Sequence, residues 1–117
     1  MTRWLSVTAC IALGFGCAGA PPVPAQRFTD AESEINAAQQ LGADNSPQAK
    51  VHLQQARDQF EAAKRLSKDE PAVAARKLDN AQAEAQLAKS LTQEQATRAE
   101  ADAAKAKLSA LGTGGGQ

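Results

Sequence analysis

From Ala72 to Leu111 the chain contains neither glycine nor proline. Within that run Ala74, Leu78, Ala81, Ala85, Ala88, Thr92, Ala96, Ala99, Ala103, Ala106 and Ala110 follow one another at steps of three or four. Such spacing keeps one side of a 3.6-residue turn apolar and predicts a single long amphipathic helix starting at Pro71. Alanine, leucine, lysine, glutamate, glutamine and arginine fill the run, all strong helix formers. Gly112 is the expected stop, with residues 112–117 as a flexible glycine-rich tail. The stripe is almost entirely alanine. With 27 alanines against three Phe and one Trp, the chain can form helices but buries little apolar surface per residue. Its 117 residues fit one small domain with a thin core and no deep pocket.

Two shorter helices precede the long one. Ser46 reads as an N-cap with Pro47 in the first helical position. The stripe Ala49, Leu53, Ala56, Phe60, Ala63 then carries a second helix to about Ser67. Lys68-Asp69-Glu70-Pro71 is the turn into the third helix. Upstream, Thr29-x-x-Glu32 has the form of a capping box, with Phe28, Ala31, Ile35, Ala38 and Leu41 as apolar positions and Gly42 as the stop. The expected fold is all-α: a short first helix, then a helical hairpin whose last helix is long and overhangs, in a three-helix, coiled-coil-like arrangement.

Length makes the overhang. At about 1.5 Å per residue the second helix is about 30 Å long and the third about 60 Å. The stretch Ala96, Ala99, Ala103, Ala106 therefore has nothing in the chain to cover it, and is a candidate partner-binding seam. Leu87 and Leu91 lie on the far side from Leu78. They either receive the first helix or form a partner-binding patch.

The first residues read as an address. Arg3 precedes an apolar run from Trp4 to Phe15, too short to span a bilayer, followed by small residues. Cys17, after Leu13-Gly14-Phe15-Gly16, suits lipidation as a new N-terminus. Cys10 has the better local pattern after Val7-Thr8-Ala9 but leaves too short an apolar region. Ordinary cleavage after Ala20 or Ala25 is the third option. On the first option residues 1–16 are a lipoprotein-type signal peptide, 17–28 a lipidated Cys17 with a Pro-rich tether, and 29–111 the helical domain. Pro21, Pro22 and Pro24 favour an extended tether. Acyl chains would anchor the chain to a membrane without spanning it.

The chemistry of common active sites is missing from this composition. His52 is the one histidine and reads as a polar residue of the second helix. Thirteen cationic and thirteen anionic side chains cancel, and no basic block interleaves with aromatics, so nucleic acid is not an expected partner. Glu94 with Arg98, Arg98 with Asp102, Arg57 with Glu61 and Glu61 with Arg65 are i,i+4 pairs typical of solvated helix faces. No glycine pattern forms a phosphate loop. The expectation is a protein without catalytic residues, cofactor or metal.

Leu-Gly-Phe-Gly-Cys17, the proline tether, the first helix ending Ala37-Ala38-Gln39-Gln40-Leu41-Gly42-Ala43, and Pro47-Gln48-Ala49 with Leu53, Ala56 and Phe60 together resemble a family of small Ala-rich bacterial lipoproteins built on a helical domain of unknown function. The resemblance covers about residues 13–110. Some members carry an appended OmpA-like peptidoglycan-binding domain, to which nothing in this sequence corresponds. The resemblance implies a bacterial envelope lipoprotein, lipid-held at a membrane and contacting an envelope protein or itself. Ala18 after Cys17 differs from the Asp linked to inner-membrane retention, which points to the outer membrane, facing the periplasm. The hairpin 49–88 also looks like one tetratricopeptide-type unit, which cannot bury its faces alone.

Overall fold

The computed structural model describes residues 19–113. Among them are three α-helices, α1 (Ala25–Gln40), α2 (Pro47–Leu66) and α3 (Pro71–Thr113), with one 3-10 turn at Ala43–Asn45 and no strand. The all-α expectation holds, with a short first helix and longer helices packed together after it.

The start of α1 differs from the sequence expectation. Pro24, at φ −60° and ψ 139°, stands at the N-cap, one turn ahead of Thr29. The Thr29 hydroxyl donates back to the Ala25 carbonyl at 3.4 Å, so it sits inside the helix and caps nothing. A tertiary contact accounts for the extra turn. The Phe28 ring meets the Phe60 ring edge-on, centroids 6.2 Å apart at 65°, and Val23 and Phe28 pack against the core. Such a ring pair is worth about 0.5–1.5 kcal/mol beyond its area. Residues 25–28 thus belong to the helix, and the extended proline segment stops at Pro24.

The end of α1 follows its sequence. Gly42 adopts φ +90°, open to glycine at little cost. Its N–H donates to the Gln39 carbonyl at 2.9 Å, and the Leu41 N–H to Ala37 at 3.1 Å. Ala43–Asn45 then winds into a 3-10 turn that buries Ala43. Ser46 takes the extended N-cap backbone before Pro47, but its side chain makes no capping bond. Its carbonyl instead accepts the Lys50 N–H at 2.8 Å.

All five residues of the α2 stripe are buried: Ala49, Leu53, Ala56, Phe60 and Ala63. The four-residue connection 67–70 folds α3 back antiparallel, and α3 contributes Ala74, Leu78, Ala81, Ala85 and Ala88 to the same core. From α1 come Ala31, Ile35 and Ala38. Among the described residues, the buried apolar side chains larger than alanine are Ile35, Leu53, Phe60 and Leu78. The small side chains let the helices approach closely and leave a thin core. α1 lies chiefly on α3, tied by Lys89 Nζ to Glu34 Oε2 at 2.9 Å and by Arg27 to Asp79.

Cover ends abruptly. Leu91 and Thr92 are half-buried, and every residue from 93 to 112 is exposed. Twenty residues make a bare helix of roughly 30 Å. α3 passes through Gly112, expected as its stop, and ends at Thr113.

Candidate functional site

The bare half of α3 begins beside the end of α1, the 3-10 turn and the start of α2. There Leu41, Asn45, Thr92, Gln95, Ala96 and Ala99 line a shallow open recess. A second recess on the other side of the α2 start brings Pro47 and Gln48 beside Leu91, Glu94 and Arg98. Both are open, and their linings mix apolar and polar groups.

Ala96 and Ala99 in the first recess and Ala103 and Ala106 beyond it are all exposed and continue the buried line of Ala81, Ala85 and Ala88. Two ion pairs run along the helix here: Arg98 with Glu94, and Lys105 with Asp102 at 3.6 Å. Glu100 and Lys107 form no ion pair among the described residues. Leu108 and Leu111 are exposed by 69% and 76%.

Leu87 and Leu91 have different fates. The ion pairs that tie α1 to α3 run through Asp79 and Lys89, not through either leucine. Leu91 packs against the core beside the α2 start, while Leu87 stays 43% exposed. The candidate leucine patch is therefore split. Cys17, the candidate lipidation site, lies outside the described residues, as do Cys10 and residues 114–117.

Sequence reasoning missed three cross-helix contacts: Arg27–Asp79, Glu34–Lys89 and His52–Glu84. His52 Nδ1 lies 2.7 Å from Glu84 Oε2, joining α2 to α3, both side chains about one-third exposed. Each sits beside a stripe residue, His52 next to Leu53 and Glu84 next to Ala85. That flanking position is the one signal available for such a pair. Arg57 turns to Asp44 at 3.7 Å, and Glu61 bonds Lys64 at 3.1 Å, in place of the expected Arg57–Glu61 and Glu61–Arg65 pairs.

Among the described residues no three His, Cys, Asp or Glu side chains gather to hold a metal ion. No helix there is long and apolar enough to cross a membrane. What the geometry defines is a class: among the described residues, an all-α arrangement of three helices, closed at one end by a small alanine-rich bundle and extended at the other by a lone helix. Comparison with known protein families, curated proteins and solved structures finds no match in any of the three.

Proposed function

We propose that this protein is a non-enzymatic lipoprotein of the bacterial envelope, a helical scaffold held by acyl chains on Cys17 and reaching from the outer membrane into the periplasm. The observation that carries the reading is the exposed run 93–112, a helix extending beyond its own bundle. A bare helical arm contributes little to the fold it belongs to, so its use lies in reach or contact. The apolar run Trp4–Phe15, Cys17 and the three prolines supply an anchor and a spacer below it.

Intact-mass measurement and membrane fractionation of the native chain, beside Cys17→Ser, test the anchor. Acyl mass on a chain beginning at residue 17, with the variant released or unprocessed, is the expected result. An unlipidated chain starting near Gln26 removes the anchor. A second reading, a small helical adaptor for another envelope protein, draws on the half-exposed Leu87. It predicts that Leu87→Glu abolishes recruitment while leaving lipidation and helix content intact.

A further inference from the structure

We propose that the bare half of α3 pairs antiparallel with the same segment of a second copy of this chain. As a joint between anchored copies the pairing rests on the scaffold reading; as a contact it does not.

Three observations select that occupant. The first is continuity: Ala85 and Ala88 face α1 and α2 in the bundle, and the same line runs on uncovered through Ala96, Ala99, Ala103 and Ala106. A helix laid there continues an interface already built, with alanine layers permitting axes about 8 Å apart. The second is charge. Taking Ala96 and Ala103 as a positions and Ala99 and Ala106 as d, Glu100 and Lys107 both fall at e. Glu94 and Asp102 are already paired along the helix, which leaves Glu100 and Lys107 without ion partners among the described residues. In an antiparallel pair, e faces e. Setting Ala103 opposite Ala106 of the second copy brings Glu100 near its Lys107, and Lys107 near its Glu100. The twofold axis satisfies both leftover charges at once. The third is the open recess beneath Leu41, floored by Ala96 and Ala99, which leaves room on the same seam for the end of the second α3.

Area sets the strength. An overlap of about 16 residues gives roughly 24 Å of contact. Alanine layers over that length bury roughly 600 Å² in all, under the ~1,000 Å² of a stable interface. The dimer is therefore reversible and concentration-dependent.

Sedimentation equilibrium with interference optics, on the full chain isolated from membranes in mild detergent, reads the pairing. The expected result is a mass rising from one copy to two with concentration. Ala103 is exposed in the single chain, so Ala103→Arg should keep the helix content and weaken the dimer at least about tenfold. It also controls for association driven by the micelle. Glu100→Lys should weaken the dimer about fivefold, and Glu100→Lys with Lys107→Glu should restore it. A parallel pair would set Lys107 against Asp102, and there the double swap makes matters worse. A single copy at every concentration, a dimer indifferent to Ala103→Arg, or a swap that fails to restore would each overturn the proposal. Lipidation is read separately by intact mass. An anchored but monomeric chain defeats the pairing and keeps the scaffold reading; an unlipidated dimer does the reverse.

Discussion

Phe60 is the aromatic side chain among the buried core residues described. It is 6% exposed, meets Phe28 edge-on, and carries the Lys64 ammonium 4.5 Å above its ring. Alanines cannot refill the space it leaves. Phe60→Ala should cost about 3–5 kcal/mol in urea denaturation followed by far-UV circular dichroism. A loss under about 1 kcal/mol would mean the core has been misassigned. Gly42→Ala acts on the backbone instead. With φ at +90°, a Cβ there strains the turn, and about 1 kcal/mol should be lost although no packing contact is removed. His52 and Glu84 couple α2 to α3 at 2.7 Å. A double-mutant cycle with His52→Ala and Glu84→Ala should return about 0.5–1 kcal/mol; a cycle that closes at zero would reduce the contact to proximity.

At the scale of elements, the two halves of α3 differ in what holds them. Residues 74–91 lose apolar area to α1 and α2, whereas 93–112 rely on backbone hydrogen bonds and alanine propensity. Hydrogen exchange should therefore be protected to the global level over 74–91 and released by local opening over 93–112 at concentrations where the chain is single. Uniform protection along α3 would contradict the bare arm. A chain ending after residue 93 should keep its denaturation midpoint, since every buried apolar residue among those described lies before that point. The start of α1 shows how far a local signal can be read. The capping box at Thr29 is a genuine local pattern, yet the helix begins at Ala25 because Phe28 finds Phe60, thirty-two positions away. Its end was legible because Gly42 satisfies a local backbone need.

The whole molecule is asymmetric. A small three-helix bundle with a roughly 30 Å bare helix should sediment more slowly than a compact globule of its mass, as the length mismatch of α2 and α3 already implies. Local signals set the number and order of the helices and most of their ends, because the 3.6-residue period and the Gly and Pro punctuation act within a few residues; the start of α1 and the run of α3 through Gly112 escaped them. The sequence by itself also determined the buried faces of α2 and α3, which match their stripes residue for residue up to Ala88. Tertiary structure alone decided which part of a stripe is covered. Ala85 and Ala103 are the same residue at the same angle on one helix, about five turns apart. Ala85 has no exposed surface and Ala103 is open to solvent. Nothing local separates them, because burial depends on where α1 and α2 end. The same reasoning separates Leu91, tucked beside the start of α2, from Leu87, left half in water.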